Sequence, residues 1–243
     1  MTPPAGTPAT KHHPPAAKSH TGLLDRARRT QGTSDDAIYS MVAHVLHKRG
    51  ISGGTFLDVG CGTGNLRTYL EAAPGRYVGV DALRYAGFPA ELEFFEADLT
   101  AAHLGLPDQS AEVVLAVEVI EHLENPRAFL RELVRLAKPG GWILVTTPNQ
   151  LSLLSLTTLV CKHRFSAFQD VHYPAHLTAL LEVDLQRIAL ECGLDQVQTG
   201  FSQRGRIILT GRHFPRCLSR WFPRALSDTI FLLGQKPPGK TSE

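Results

Sequence analysis

The chain has 243 residues, which is enough to bury one sizeable core and predicts one domain with additions. Its hydrophobic content of 43% is ordinary for a globular protein, and its formal net charge of +2 is too small to indicate nucleic-acid binding by itself. Its four cysteines form no C-x-x-C pair, which argues against a zinc site or a disulfide framework and favours a reducing cytosol.

The first 22 residues are rich in Pro, Ala, Thr and His and contain almost no large apolar side chain. Such a segment cannot bury enough surface to order itself, so we predict a disordered tail over 1–22 and a single domain over 23–243. No apolar segment follows Met1 as in a secretory signal, and no run reaches the roughly 18 apolar residues of a membrane helix. We therefore expect a cytoplasmic protein without a transmembrane segment.

The first helix is predicted over Ser34–Arg49, where Ser34 is expected to cap the helix and Gly50 to end it. Its apolar residues recur at helical spacing and form one stripe: Ile38, Met41, Val42, Val45 and Leu46. The pattern predicts a helix that packs beside the core.

A glycine-rich loop follows the first predicted strand, the apolar run Thr55–Leu57, which Asp58 closes. Helical spacing begins at Asn65 and is stopped by Pro74-Gly75. Strand, loop and helix form the first half of a βαβ unit, whose ligand lies at the carboxyl end of the strand. Glycines let the backbone approach a ligand where a Cβ atom would collide. The alternating glycines are Gly60, Gly62 and Gly64.

The ligand of this loop has two candidate classes. A dinucleotide site has the fingerprint G-x-G-x-x-G, but the spacing here is G-x-G-x-G, and Asn65 occupies the place of the third glycine. Asp58 would also repel a pyrophosphate, whereas a carboxylate suits a ligand with an ammonium or sulfonium group. The stretch FLDVGCGTGNL resembles motif I of the class I S-adenosylmethionine-dependent methyltransferases.

The second and third predicted strands each end in an aspartate. The second strand is Arg76–Asp81, and Asp81 lies about 20 residues past the glycine loop, the distance at which a βαβ unit delivers an acid to a ribose. The third strand is Leu92–Ala97, followed by Asp98 and Leu99. We expect Asp81 to accept hydrogen bonds from the ribose hydroxyls.

The fourth predicted strand, Glu112–Glu118, is a nearly continuous apolar run, as expected of a central parallel strand. Pro126 then begins a helix at a position that proline tolerates. The turn Lys138–Gly141 leads into a fifth strand, Trp142–Thr146.

The five segments agree in order and spacing with one family over Thr55 to Asn149. Two further stretches resemble segments of the same family, FFEADL at the third strand and LAKPGGWILVTTPN at the fifth. The chain is therefore identified as a member of the class I methyltransferases. The resemblance implies an α/β fold with a Rossmann-like, seven-stranded, mostly parallel sheet and helices on both faces. It also implies S-adenosylmethionine as the cofactor, with the adenine amino edge near Asp98 and Leu99. The expected cofactor-binding residues are Asp58, Gly60, Cys61, Gly62, Gly64, Asp81, Ala82, Asp98, Leu99, Val117 and Glu118.

The stretch EVIEHL after the fourth strand resembles the ubiquinone-biosynthesis O-methyltransferases. It is also similar to the metal-dependent small-RNA 2′-O-methyltransferases, in which two Glu, a His and a later His hold a divalent ion. The resemblance implies a metal site, with Mg²⁺ as its ion, at Glu118, Glu121 and His122. Many small-molecule relatives have similar residues without a demonstrated metal, so a metal-free site stays open. The candidate catalytic residues are Glu121, His122, His172 and His176.

The remainder carries weaker signals. The family resemblance implies a substrate lid around 150–177. A helix is predicted after it, over Thr178–Cys192. The last strands are predicted at three segments: Gln196–Phe201, Arg206–Thr210 and Thr229–Gly234. The basic and aromatic stretch His213–Arg224 could contact a membrane surface or an anionic substrate, although a solvated loop with packed aromatics is slightly favoured.

The sequence therefore predicts a methyltransferase that acts on an oxygen of a small-molecule or lipid-like acceptor. Two alternatives stay open: a non-catalytic cofactor-binding or regulatory protein with this fold, and a metal-dependent RNA 2′-O-methyltransferase. An oxidoreductase is disfavoured by Asn65. Nucleic acid is an unexpected partner, peripheral membrane contact is possible, and the oligomeric state is not predicted.

Overall fold

The computed structural model describes residues 32–70 and 75–239. The predicted tail over 1–22 lies outside these residues, as does the end of the helix expected to reach Pro74.

Seven strands alternate with helices along the described chain. The strands are β1 (Thr55–Val59), β2 (Arg76–Asp81), β3 (Glu93–Glu96), β4 (Ala111–Val117), β5 (Ala137–Pro148), β6 (Asp195–Phe201) and β7 (Thr229–Gln235). The α-helices are α1 (Asp36–Lys48), α2 (Leu66–Tyr69), α3 (Pro126–Leu136), α4 (Leu153–Lys162), α5 (Glu182–Glu191) and α6 (Arg216–Trp221). Short 3₁₀ turns occupy Ile120–His122 and Asp170–His172.

The strands form one sheet in the order β3-β2-β1-β4-β5-β7-β6, in which β7 runs antiparallel to both of its neighbours. The remaining neighbours pair in parallel. The predicted Rossmann-like, seven-stranded, mostly parallel sheet is therefore confirmed. The strand order reverses between β1 and β4, and ligands of open α/β sheets bind at the carboxyl ends of the strands beside such a reversal.

Two hydrophobic clusters cover the two faces of the sheet. The α1 stripe packs on one face with Phe56 and Leu115, while α3 and α5 pack on the other with Val114 and Val145. The strand β4 is buried almost throughout, as its continuous apolar run predicts. The predicted helices on both faces of the sheet are thereby confirmed. The buried central strands hold their carboxyl ends, which carry the site, in a fixed position.

Four local predictions differ from the structure. α1 begins at Asp36 and is capped by Asp35, whose Oδ1 accepts the Ala37 N–H at 2.8 Å, so the expected cap at Ser34 was wrong. The expected turn at Lys138–Gly141 is part of β5, because Gly140 N donates to the Lys236 carbonyl and the Gly141 carbonyl accepts the Lys236 N–H.

The predicted strand over Arg206–Thr210 was wrong as well. This segment turns back on itself, with an isolated bridge between Arg206 and His213 and a hydrogen bond of 2.8 Å from Ile207 N to the Arg212 carbonyl. The helix predicted from Thr178 begins at Glu182, because the Leu177 and Thr178 N–H groups donate to the Glu121 carbonyl instead of starting a helix. No helix in the described ranges is long and apolar enough to span a bilayer.

Candidate active site

A cavity of about 310 Å³ lies at the carboxyl ends of β1, β2 and β4, beside the reversal of strand order. It collects most of the residues that the sequence predicted for cofactor and catalysis, although those residues come from separate segments of the chain. The predicted site residues that line this cavity are Asp58, Gly60, Cys61, Asp81, Ala82, Leu99, Val117, Glu118, Glu121, His122 and His176. The predicted residues Gly62, Gly64, Asp98 and His172 do not line it.

Two glycines of the loop, Gly60 and Gly62, lie in close contact with other segments of the chain. A Cβ atom on Gly60, at φ +82°, would lie 2.2 Å from a Val119 methyl group. A Cβ atom on Gly62, at φ +53°, would lie 2.0 Å from the carbonyl oxygen of Gly32, which also accepts the Thr63 N–H at 2.9 Å. Glycine is therefore required at both positions by backbone conformation and by space.

Asp58 is almost completely buried at the end of β1. Its Oδ2 accepts a hydrogen bond from the Tyr77 hydroxyl, whereas its Oδ1 has no hydrogen-bond partner within 32–70 and 75–239. Burial raises the pKa of Asp58 to about 7, the Tyr77 hydrogen bond opposes that rise, and the nearby Asp81 charge adds to it. The cavity thus contains one buried carboxylate oxygen that is available to a cationic group.

Asp81, at the end of β2, organises the loop as well as facing the cavity. Its Oδ2 accepts the Gly62 N–H at 2.8 Å, and its Oδ1 accepts the Ala82 N–H at 2.7 Å. Burial raises the pKa of Asp81, and these backbone hydrogen bonds oppose the rise. Each carboxylate oxygen retains a second lone pair that can accept a ligand hydroxyl.

Asp98 has a local role in the structure. Its Oδ1 accepts the backbone N–H and the hydroxyl of Thr100, at 2.8 and 2.6 Å, so it caps the turn after β3. Its neighbour Leu99 is buried and lines the cavity.

Two glutamates leave β4 beside the cavity. Glu118 has a left-handed backbone at φ +55°, and its Oε1 accepts the Thr146 hydroxyl at 2.9 Å. Glu121 is fully buried, and its Oε2 accepts the Thr147 hydroxyl at 3.2 Å. Burial raises the pKa of Glu121 to about 8, while burial and the Glu121 charge hold the pKa of Glu118 well above its usual range. Both carboxyl groups therefore favour the protonated form.

Two imidazoles face Glu121, and each is held through its Nδ1 atom. The His122 Nδ1 lies 2.8 Å from the Ala175 carbonyl oxygen, and the His176 Nδ1 lies 2.6 Å from the Ala167 carbonyl oxygen. Since a carbonyl oxygen can only accept, both Nδ1 atoms carry a proton. In the neutral rings, each Nε2 then presents a lone pair.

Glu121, His122 and His176 form a cluster whose ligating atoms lie within 4.8 Å of one another. The His122 Nε2 is 3.9 Å from the Glu121 Oε1, and the His122 and His176 rings are 4.7 Å apart. Burial, followed by the His122 charge, lowers the pKa of His176 to about 4, so this ring stays neutral near pH 7.

The cluster differs from the set Glu118, Glu121 and His122 that the sequence predicted. Glu118 is outside the cluster of possible ligands, and His176 takes its place. His172 stacks on His176 with the ring centres 5.3 Å apart, but it lines a second cavity of about 320 Å³. That second cavity shares Glu118 and His176 with the first.

Sequence reasoning missed Tyr77, Val119 and the segment 32–34, which also line or support the site. Tyr77 could have been found from strand alternation: it pairs with Phe56, so its side chain shares a face with Asp58 two residues further along β1. The contact between Gly32 and Gly62 has no local sequence signal.

A parallel strand-loop-helix unit with a cavity at the strand reversal defines a nucleotide-type ligand site on a Rossmann-like fold. The chain matches the methyltransferase-domain family over residues 36–199, which is more than half of its length. It therefore belongs to this family and is a class I S-adenosylmethionine-dependent methyltransferase.

Curated relatives agree with this assignment. The chain is 27% identical over 199 residues to a probable S-adenosylmethionine-dependent methyltransferase of Mycolicibacterium smegmatis, covering 79% of this chain and 71% of that protein. It is 31% identical over 108 residues to a ubiquinone biosynthesis O-methyltransferase of Bordetella bronchiseptica, covering 41% of this chain and 45% of that protein.

Among solved structures, it resembles one described as the complex of the Haloferax volcanii Trm112 methyltransferase activator with a methyltransferase, with a TM-score of 0.60 and 17% identity. That match covers 91% of this chain and 99% of the other, and it bears on the fold alone.

Proposed function

We propose that the protein transfers the methyl group of S-adenosylmethionine to an oxygen of a small-molecule or lipid-like acceptor. The observation that carries this proposal is the cluster of a buried carboxyl group and two imidazole Nε2 lone pairs beside the cofactor cavity. A hydroxyl acceptor must lose its proton during methyl transfer, and this cluster offers groups that can receive a proton or orient an ion. Similarity to ubiquinone biosynthesis O-methyltransferases at 31% identity over 108 residues supports an oxygen acceptor.

The residues at the strand ends suit each part of the cofactor. The Oδ1 of Asp58 would accept the ammonium group, and the spare lone pairs of Asp81 would accept the ribose hydroxyls. Leu99 offers an apolar surface for the adenine, and Gly60 brings the backbone close to the ligand. When bound, the cofactor supplies an electrophilic methyl group on its sulfonium. Burial and the Asp58 and Asp81 charges raise the pKa of the Cys61 thiol, so this thiol stays neutral in the cavity.

The protein's part in the reaction is alignment and proton handling. Holding the acceptor oxygen in line with the methyl group converts a bimolecular step into an intramolecular one. His122, whose Nδ1–H is fixed on the Ala175 carbonyl, can take the acceptor proton at Nε2. The segment 150–177 would act as a substrate lid in the single domain predicted over 23–243, because it supplies both Ala175 and His176 to the site.

We further propose that the same cluster, Glu121, His122 and His176, holds a divalent ion. Metal-bound histidines characteristically donate their other ring N–H to a carbonyl or carboxylate, as His122 and His176 do. One carboxylate and two imidazoles favour a transition ion over the Mg²⁺ suggested by the family resemblance. Such an ion would orient the acceptor hydroxyl and lower its pKa.

The metal proposal is tested by titrating Zn²⁺, Mn²⁺ and Mg²⁺ into the chelator-treated protein and measuring bound ion by mass spectrometry and calorimetry. We expect His176→Ala to abolish stoichiometric binding and His172→Ala to retain it, because only His176 belongs to the cluster. Equal binding by wild type and His176→Ala would exclude this site.

The methyl-transfer proposal is tested by incubating the protein with methyl-labelled cofactor and a metabolite and lipid extract, followed by identification of the labelled product. A labelled oxygen ether or ester supports it, and cofactor binding without turnover would favour a non-catalytic or regulatory protein. Labelled RNA would favour the 2′-O-methyltransferase alternative. Calorimetry with NAD in parallel should give no binding.

We propose a reducing compartment, the cytosol, for this protein. The proposal is supported by the four cysteines, which are free thiols.

A further inference from the structure

The helix α4 exposes apolar side chains and buries a polar one. Its fully buried residue is Ser155, whereas Leu153, Leu156 and Val160 are exposed, Val160 to 77%. These three residues are spaced three and four apart and therefore share one face of the helix. A helix that packs on a core normally buries its apolar side chains and exposes its polar ones, whereas α4 does the opposite.

The helix α6 and its surroundings repeat the same inversion. Ser219 is buried, while Leu218, Trp221 and Phe222 are exposed, Trp221 to 81%. Leu209, on the turn between Arg206 and His213, is exposed to 99%. Trp221 and Phe222 of the His213–Arg224 stretch are therefore turned outward, against the expectation that its aromatics pack, whereas Phe214 is half-buried.

The two helices adjoin in the fold. Leu153 N, at the start of α4, donates to the Ala225 carbonyl at 2.7 Å, just after α6. The Asn149 side-chain amide donates to the carbonyls of Arg224 and Ser227, at 2.7 and 2.8 Å. We call this surface the exposed apolar face and define it by its large side chains: Leu153, Leu156, Val160, Leu209, Leu218, Trp221 and Phe222.

Positive charge is concentrated in the same segment of the chain as α6. The segment 204–224 contains six arginines and no aspartate or glutamate, although the whole chain has a formal charge of only +2. Arg206 pairs with Asp228 and Arg224 with Glu182. The other four arginines form no ion pair with any residue that the structure describes: Arg204, Arg212, Arg216 and Arg220.

We propose that the exposed apolar face docks on the surface of an anionic lipid bilayer. Aliphatic and Trp side chains can enter the boundary between headgroups and acyl chains, while arginines beside them neutralise anionic headgroups. A second copy of the chain is a poorer occupant, because a two-fold contact would place the same arginines against one another. RNA would engage the arginines but would leave the aliphatic stripe of α4 unpaired.

Docking on this face would bring the active site to the bilayer. The cavity that shares Glu118 and His176 with the cofactor cavity is lined by Arg204 and Arg206 from the basic segment and by Ser166 from the loop after α4. An acceptor that leaves the bilayer would therefore enter between the two segments that touch it.

The experiment is vesicle flotation of the full chain with phosphatidylcholine alone and with phosphatidylcholine mixed with phosphatidylglycerol. We expect binding only to the mixed vesicles. Arg216→Ala with Arg220→Ala should weaken it about 25-fold, about fivefold for each arginine near an anionic surface. Leu156→Ser with Val160→Ser should weaken it about tenfold through lost apolar burial.

Matched controls lie elsewhere on the surface. Leu190→Ser removes an exposed leucine of α5, and Arg131→Ala removes an exposed arginine of α3, so both should bind as wild type does. Circular dichroism checks that each variant is folded. The assay contains neither cofactor nor acceptor, so its outcome is separate from that of the methyl-transfer experiment.

Three results would overturn the proposal. The first is no binding to the anionic vesicles, with or without self-association in solution. The second is undiminished binding by both double variants. The third is a loss caused by the arginine pair but not by the Leu156 and Val160 pair, which would indicate a purely electrostatic contact in which the exposed apolar face takes no part.

Discussion

Replacement of Glu121 by glutamine should make the protein less sensitive to alkaline pH. Glu121 is fully buried, and burial raises its pKa to about 8 in the folded protein. The same carboxyl group has a pKa of about 4.3 in an unfolded chain. The folded protein therefore binds more protons than the unfolded one between these values, and the free energy of unfolding falls as pH rises through this window.

The magnitude follows from the two pKa values. Between about pH 5.5 and about pH 8.5, linkage predicts that this one group lowers the free energy of unfolding by about 3 kcal/mol. Glu121→Gln keeps an oxygen that can accept the Thr147 hydroxyl but cannot ionise. The Glu121 charge also helps to raise the pKa of Glu118, so its removal acts in the same direction.

The assay is urea unfolding of wild type and Glu121→Gln at both pH values, with a chelator present so that bound metal adds no stability. Glu124→Gln is the matched control, because it removes an exposed carboxylate three residues away. We expect the wild type and the control to lose about 3 kcal/mol more than Glu121→Gln on going to the higher pH. An equal loss in all three proteins would refute a protonated Glu121 in the folded state.

Three further predictions concern the cofactor site. Because the pKa of Asp58 is about 7, cofactor affinity measured by calorimetry should fall about eightfold from about pH 7.4 to about pH 6, as the ionised fraction of Asp58 falls. Asp58→Asn should remove this dependence, and a steep dependence that persists in the variant contradicts it. Asp81→Ala should weaken cofactor binding about a hundredfold through two lost hydrogen bonds, and an affinity within about threefold of wild type would exclude Asp81 as the ribose ligand. Gly62→Ala should lower thermal stability more than Gly50→Ala, since both glycines have positive φ but only Gly62 faces a backbone atom, and equal losses would show that the loop can move away.

The sequence by itself determined the fold class and the end of the sheet that carries the site. Continuous apolar runs such as β4, the glycine loop after β1 and the aspartates at strand ends are local patterns, and each reports a local requirement. Asp58, Asp81 and Glu121 could be placed because parallel strands present their carboxyl ends along one edge. The ends of β4 and β7 were predicted to within one residue, whereas β5 extends beyond both of its predicted ends, Trp142 and Thr146.

Only the tertiary structure decided how the site is completed. His176 joins Glu121 and His122 because the chain after α4 returns to the sheet and is pinned there, with the Leu177 and Thr178 N–H groups on the Glu121 carbonyl. Spacing along a sequence cannot report a contact between segments more than 50 residues apart.

The direction of an amphipathic helix was also decided by the tertiary structure. The sequence of α4 places Leu153, Leu156 and Val160 on one face, but an apolar face fits a core and a lipid surface equally well. The structure turns that face outward, because α4 is held on its other side: the buried Ser155 hydroxyl accepts the Ser166 N–H at 3.2 Å, and the Leu153 N–H donates to the Ala225 carbonyl at 2.7 Å. Which side of a helix is buried depends on the free energy of the whole assembly of elements, and no single segment encodes it.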